Sequence, residues 1–181
     1  MSYYFPSTIM ETVLLHPLLS YSQYDLVPGT SSPIVWDLRE PPESALHVDN
    51  LDKRLSPNDL SQFATNPPCL TLCITCDIFP EPWPIEVHRL KAITVGDVLR
   101  TIHSVISRRI IQSEWDQISE KQRKRIGDVF DNRCRMSLQR EECRANGVLR
   151  VDCLLSHTLF AGLSVSPDEN DSFILTLRRP Q

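Results

Sequence analysis

Two short stretches of the chain combine charged side chains with apolar neighbours in a way that could build a polar site. They contribute Trp36, Asp37 and Arg39 from the first stretch, and Arg150 and Asp152 from the second. In such a site an arginine holds an anion while a carboxylate acts as general acid or base. The same residues could equally form internal salt bridges, with Asp152 capping a helix. Because an unpaired charge inside an apolar run is costly, we expect Arg150 and Asp152 each to find a partner in the segment from Asp37 to Arg39.

The densest basic run offers a different chemistry, the binding of an anionic partner. It contains Lys121, Arg123, Lys124 and Arg125. Such a run is typical of nuclear import signals and of anion-binding patches. It is also typical of the solvated face of a helix, and the sequence leaves these alternatives open.

Cysteines suggest a metal site, because Cys73-x2-Cys76 has a common zinc-ligand spacing and Cys69 lies close by. In a strand, however, Cys73 and Cys76 point to opposite faces, and no glycine allows the segment to bend into a knuckle. We therefore expect no metal here and six free thiols.

Two further sets could support catalysis. Cys153 and His157 would meet on a helix, as a thiol nucleophile and its base would. Asp77, Glu86 and His88 would form a carboxylate–histidine cluster if their strands pair with the polar faces together. The alternatives are a buried Cys153 with a surface His157, and an ordinary solvated sheet face.

Several cofactor motifs are missing from the sequence. With only five glycines it contains no GxGxxG or Walker motif, and it has no G-x-S-x-G elbow. The sequence therefore indicates no organic cofactor.

Length and charge bound the remaining possibilities. The chain has 181 residues, 41% of them apolar and 23% charged, as is typical of one globular domain. Residues 1–90 hold 4 basic and 11 acidic residues, whereas residues 91–181 hold 15 basic and 12 acidic. The pI near 5.7 argues against nucleic-acid binding, although the basic second half could meet an anionic partner.

The compartment is predicted from what the sequence lacks. Its first residues have neither the basic start nor the apolar run of a secretory signal, and no apolar run is long enough to span a membrane. Clustered cysteines in an apolar segment favour reduced thiols. We expect a cytoplasmic protein without a membrane partner, or a nuclear one if the basic run is an import signal.

Proline divides the chain into an extended first part and a helical middle. Twelve of the 14 prolines lie in residues 1–84 and none lies in residues 85–166. We expect one domain over residues 1–181 with a proline-rich arm at residues 1–33. Alternation of apolar and polar residues predicts strands at 33–39, 69–79, 85–90, 159–165 and 173–178. In the first of these, Ile34, Trp36 and Leu38 share one face. In the second, the apolar face consists of Leu70, Leu72, Ile74, Cys76 and Ile78. Residues 43–68 are predicted as a long loop with one helical turn at 58–63.

Capping signals locate the helices. Thr94-x-x-Asp97 resembles a capping box, and apolar residues follow it at helical spacing. Ser113-x-x-Asp116 and Ser119-x-x-Gln122 predict two further helix starts, the second helix running to about Leu138. Strands on both sides of a helical middle predict an α+β fold, with an antiparallel or mixed sheet packed against the helical segment.

The order of several motifs resembles a domain-of-unknown-function family of mushroom-forming fungi, the basidiomycetes. These motifs are VWDLREPP at 35–42, PWPIEV at 82–87, ITVGDVL at 93–99, GVLRVDCL at 147–154 and FAGLS at 160–164. The resemblance covers residues 14–179 and implies an intracellular fungal protein of one domain. It implies no activity for any residue.

Two classes of function therefore remain. The first is a non-enzymatic binding or protein-interaction module that uses its sheet face or its basic helices. The second is a cofactor-independent acid–base enzyme acting on a small molecule. The missing cofactor motifs favour the first, and a deep pocket around Asp37, Arg39, Arg150 or Asp152 would favour the second.

Overall fold

A computed structural model describes residues 13–22, 32–80, 82–167 and 172–180. As predicted, the fold is α+β, and its main sheet is mixed. The strands are β1 (Leu14–Leu15), β2 (Ile34–Val35), β3 (Leu46–His47), β4 (Asn50–Arg54), β5 (Thr65–Asn66), β6 (Thr71–Thr75), β7 (Ile85–His88), β8 (Leu159–Val165) and β9 (Ser172–Arg178). The helices are α1 (Pro57–Ser61), α2 (Val95–Ile106), α3 (Gln112–Gln117), α4 (Glu120–Met136) and α5 (Arg140–Asn146), with 3-10 helices at Pro42–Ser44 and Arg150–Leu154. Most of the predicted arm at residues 1–33 lies outside the described residues.

The main sheet has the order β7-β6-β9-β8. β6 pairs with β7 antiparallel and with β9 parallel, and β8 pairs with β9 antiparallel. Strand alternation sends Leu72 and Ile74 of β6 into the core, as the sequence predicts. Leu70 was expected on the same apolar face but is 54% exposed, because the strand begins only at Thr71.

The segment predicted as a strand at 33–39 is mostly irregular, yet its buried face is the predicted one. Ile34, Trp36 and Leu38 are all buried in the core. Ile34–Val35 forms a strand that pairs with Leu46–His47, and beyond it Asp37 makes a single antiparallel bridge with Leu159 of β8. The helical turn predicted at 58–63 is α1, but the rest of the predicted loop at 43–68 also contains β3, β4 and β5. β3 and β5 have only two residues each, and all five residues of β4 are exposed, so no alternating apolar pattern indicates these strands.

Helix starts follow the local capping chemistry. The hydroxyl of Thr94 accepts from the Asp97 N–H, and the Asp97 carboxylate accepts in return, as predicted for the start of α2. Ser119 caps α4 as predicted. The predicted start at Ser113 is wrong, because the N-cap of α3 is Ile111, two residues earlier, and Glu114 accepts from the Ile111 N–H.

None of the described helices combines the length and apolar composition that a membrane crossing requires.

Gly127 lies inside α4, at a point where a Cβ atom would meet nothing within 4 Å. Glycine in a helix loses more conformational entropy than alanine, and no steric demand offsets that loss here. We expect Gly127→Ala to raise the free energy of unfolding by about 0.5–1 kcal/mol. Urea unfolding measures the change. Gly147→Ala is the matched control, because its φ of 72° strains an alanine, and it should destabilise.

Candidate functional site

Asp37 and Arg39 form an ion pair with each other. Arg39 Nη2 lies 2.6 Å from Asp37 Oδ2, and Thr158 Oγ1 donates to the same oxygen at 3.4 Å. Burial raises the pKa of Asp37, but the hydrogen bonds and charge of Arg39, helped by Thr158, outweigh it and hold the pKa below its usual range. Asp37 is therefore ionised at neutral pH and is unsuited to act as a general acid.

Asp152 is almost completely buried and pairs with an arginine of α4. Arg133 donates from Nε to Oδ1 and from Nη2 to Oδ2, both at 2.8 Å. The Leu149 N–H donates to Oδ2 at 2.9 Å, so the same carboxylate also caps the 3-10 helix at 150–154. The predicted capping role of Asp152 fits this geometry.

Arg150 has a different set of partners. Its Nη2 donates to Glu114 Oε1 at 2.6 Å, and its guanidinium lies 4.6 Å from the ring centroid of Trp83. These contacts tie α3 to the 3-10 helix at 150–154 and to the proline-flanked Trp83. Trp83 also packs on Phe79, with centroids 5.2 Å apart, and is buried.

The prediction that the Asp37–Arg39 segment supplies the partners of Arg150 and Asp152 is therefore wrong. Each of the two residues does have a partner, as expected, but it comes from α3 or α4. The reason is geometric: Asp37 is already bound by Arg39, whereas the 3-10 helix at 150–154 packs against α4.

Arg39 and Asp152 nevertheless line one cavity of about 620 Å³, which we call the Asp152 cavity. Arg133, Cys143 and Thr158 line it as well. Trp36, by contrast, belongs to the core, and Arg150 lies elsewhere. The five predicted residues thus do not converge on one pocket, and the carboxylate in this cavity is neutralised by Arg133.

The polar faces of β6 and β7 do coincide, as the second catalytic hypothesis requires. Cys73 lies opposite Glu86, and all three of Cys73, Glu86 and His88 line a cavity of about 450 Å³. His88 Nε2 is 3.4 Å from Glu86 Oε2, and both side chains are more than 60% exposed (64% and 62%). Asp77 lies beyond the end of β6 and lines another cavity, so it does not join this pair.

All six cysteines are free thiols in the structure. Cys73 lines the cavity beside Glu86, whereas Cys76 lies just after the end of β6 and is buried. Both cysteines also line the cavity that contains Asp77. Among the described residues, no three cysteine, histidine or acidic side chains are grouped so that they could hold a metal ion. Burial raises the pKa of Cys153 to about 12, and Arg179, rather than this thiol, donates to His157.

The basic run is divided between the faces of α4. At about 100° per residue, Arg123 lies on the same face as Phe130, two turns earlier in the helix. Lys121, Lys124 and Arg125 are exposed on the other sides. None of the four forms an ion pair with another residue in the described ranges.

A groove of about 640 Å³ lies next to this face of α4, and we call it the helical groove. Its lining includes Arg109, Ile111, Trp115, Phe130, Arg144 and Val148. Trp115 and Val148 also pack against the core, whereas Ile111 is 59% exposed. Glu114 positions the wall formed by α3, since one carboxylate oxygen binds Arg150 and the other caps Ile111.

The residues that organise these sites were largely missed by sequence reasoning. Glu114 occupies the third position of α3, where an acidic residue indicates capping, and that signal was assigned to Ser113 instead. Arg133 carries no local signal, because a basic residue in the last turn of a helix is ordinary.

A model of a family of unknown function, DUF6699, matches residues 34–171. No curated protein and no solved structure matches the chain. The matched range contains the whole helical groove and the pair of Arg133 with Asp152. Because the match covers well over half of the sequence, the chain belongs to the DUF6699 family.

Proposed function

We propose that the protein is a protein-interaction module whose helical groove binds an acidic segment of a partner protein that also carries apolar side chains. The observation that carries this proposal is the combination of an apolar floor with basic residues at the rim. From the sequence and its resemblance we further infer an intracellular fungal protein, cytoplasmic or nuclear.

The floor of the groove can bury apolar side chains of a partner. Trp115, Phe130 and Val148 are only partly buried in the chain itself, and Ile111 is mostly exposed. Tryptophan and arginine are the residues most enriched at the energetic centres of protein interfaces. The groove therefore has the composition of an interface core.

The basic residues at the rim of the groove favour a partner that carries negative charge. The Arg109 side chain has no hydrogen-bond or ion-pair partner among the described residues, although its backbone forms a bridge with Leu149. None of the described acidic side chains lines the groove. Arg144 lies 3.3 Å from Asp131, but both side chains are 58% exposed. An ion pair this exposed contributes little to the free energy of folding, so it is easily replaced. Both arginines are thus able to pair with carboxylates of a partner, and Arg123 extends the basic surface along α4.

Rigid walls reduce the entropic cost of binding. Arg150 joins Glu114 of α3 to the buried Trp83. At the end of α5, the Arg109 side chain lies so close to Gly147 that a Cβ atom there would be 3.0 Å from Arg109 Nε. The walls formed by α3 and by the end of α5 are therefore held in place before a partner arrives.

The alternative function, a cofactor-independent acid–base enzyme, is supported by Glu86 and His88 beside the outer sheet face. Their high exposure and the 3.4 Å separation resemble a solvated pair more than a tuned catalytic one. The interaction module is the better supported proposal.

A random peptide library displayed on phage tests the groove. We expect selected peptides to be rich in Asp, Glu and large apolar residues, and to bind more weakly as salt rises. Trp115→Ala should weaken a selected peptide roughly 30-fold or more, as at an interface hot spot, and Arg109→Glu should also weaken it. Fluorescence anisotropy of the labelled peptide measures the dissociation constants.

Lys121→Glu is the matched control for the charge reversal, because Lys121 lies on another face of α4. Ile111→Ser gives a second test of the floor with an exposed side chain, in case Trp115→Ala perturbs the fold. Selected peptides that bind the Trp115 and Ile111 variants as tightly as the natural chain would show that the groove is not the site.

A further inference from the structure

Two thiols meet where α4 packs against α5. Cys134 Sγ donates a hydrogen bond to Cys143 Sγ at 3.1 Å, and both residues are buried. We propose that these two cysteines are a redox modification site, which a low-molecular-weight disulfide of the glutathione type oxidises to an intramolecular disulfide. This inference is independent of the helical groove and of any partner bound there.

Cys143 Sγ is contacted by two hydrogen-bond donors. Arg133 Nη1 donates to its sulfur at 3.1 Å, so two donors, a guanidinium and the Cys134 thiol, point at one sulfur atom. These contacts hold the Cys143 sulfur at a fixed position beside both the Cys134 sulfur and the Asp152 cavity. Arg133 is itself held in place by both oxygens of Asp152.

Access distinguishes the roles of the two thiols. Cys143 lines the Asp152 cavity and is 9% exposed, whereas Cys134 is 1% exposed. Burial and the hydrogen bond to Cys143 raise the pKa of Cys134, which fits a thiol that keeps its proton and acts as donor. Cys143 is therefore the attacking thiol and Cys134 the resolving one.

The reaction is a two-step thiol–disulfide exchange. The Cys143 thiolate attacks one sulfur of the disulfide RSSR, forming a mixed disulfide and releasing RS⁻, which takes the proton that Cys143 gave up. Cys134 then attacks Cys143 Sγ, breaks the mixed disulfide and releases the second thiol with its own proton. The protein loses two electrons and two protons, and RSSR is reduced to two RSH.

Oxidised glutathione added to the folded protein tests this assignment. Free thiols are then alkylated, and mass spectrometry after chymotrypsin digestion locates the modified residues. In the natural chain we expect one disulfide, between Cys134 and Cys143. Disulfides formed by other cysteines, or a folded protein that remains fully reduced, would overturn the proposal.

Single variants resolve the order of attack. Cys134→Ser should accumulate one glutathione adduct on Cys143, at least about tenfold faster than any adduct on Cys153, whose pKa is raised to about 12. Cys143→Ser should leave Cys134 unmodified. Cys153→Ser is the matched control and should form the same disulfide as the natural chain. Glutathione adducts spread equally over the cysteines of the Cys134→Ser variant would contradict the proposal. If the serine disturbs packing, the Cys134→Ala variant is used for the same measurement.

Discussion

Replacing Trp36 with alanine should lower the free energy of unfolding by about 3–5 kcal/mol, which is the usual cost of emptying a buried site of this size. Trp36 is 1% exposed, and its ring centroid lies 6.0 Å from that of Phe160. Its Nε1 donates to the Glu40 carbonyl at 3.0 Å, so truncation also removes that carbonyl's partner. Urea unfolding followed by circular dichroism measures the change, which is a large share of a domain's total stability.

A graded variant separates packing from hydrogen bonding at this position. Trp36→Phe keeps an aromatic ring but loses the N–H donor, so its effect should fall between those of the natural chain and Trp36→Ala. Trp115→Ala is the control for removing a tryptophan that is only partly buried, and it should cost less. An unchanged unfolding midpoint for Trp36→Ala would mean that Trp36 is not in the core.

The second large effect is expected at Asp152. Asp152→Asn should lower the free energy of unfolding by about 3 kcal/mol, because it leaves the Arg133 guanidinium without its counter-charge in a partly buried site. It also weakens the hydrogen bond that caps the 3-10 helix through the Leu149 N–H. Thermal and urea unfolding of the purified variant test this expectation.

Two comparisons make the Asp152 result specific. Asp37→Asn should cost less than about 1 kcal/mol, because Arg39 in that pair is 57% exposed. Arg133→Met combined with Asp152→Leu should recover much of the lost stability, since two apolar side chains leave no buried charge. If Asp152→Asn is as stable as the natural chain, the pair with Arg133 does not hold α4 to the 3-10 helix.

Trp36 does not line the helical groove, so Trp36→Phe that remains folded should bind a groove peptide with unchanged affinity. Asp152 is coupled to the groove, because Arg133 lies over Phe130 and donates to the Gly147 carbonyl, and both of those residues line it. Loss of peptide binding with intact stability is expected only for residues such as Ile111 and Arg109. Stability and binding measurements therefore distinguish the framework from the proposed interaction site.

Much of the fold was predictable because local forces determine it. The starts of α2 and α4 depend on Thr94 and Ser119, whose hydroxyls cap backbone groups three residues away. The face of β6 that packs in the core was predictable from alternation, because residues two apart in a strand lie on the same face and Leu72 and Ile74 are both apolar. The segment at 33–39 shows the limit of this reasoning: its buried face was predicted, but its length as a strand was not.

The candidate sites were less predictable because their contacts are long-range. Asp152 could be identified as a charge in need of a partner, but the sequence favoured Asp37–Arg39 over Arg133. The thiols of Cys134 and Cys143 were predicted to be free, and nothing in their spacing indicated that they would meet.

The sequence by itself determined the α+β class, the helix caps and the identity of most core residues. These features depend on the preferences of neighbouring residues and on the periodicity with which apolar side chains recur. Only the tertiary structure decided that Arg150 binds Glu114, that Arg133 joins Asp152 with Cys143, and that Trp115 and Phe130 share one groove. Charged and thiol groups can pair with many equivalent residues along a chain, and the packing of helices and sheet selects the partner that each one meets.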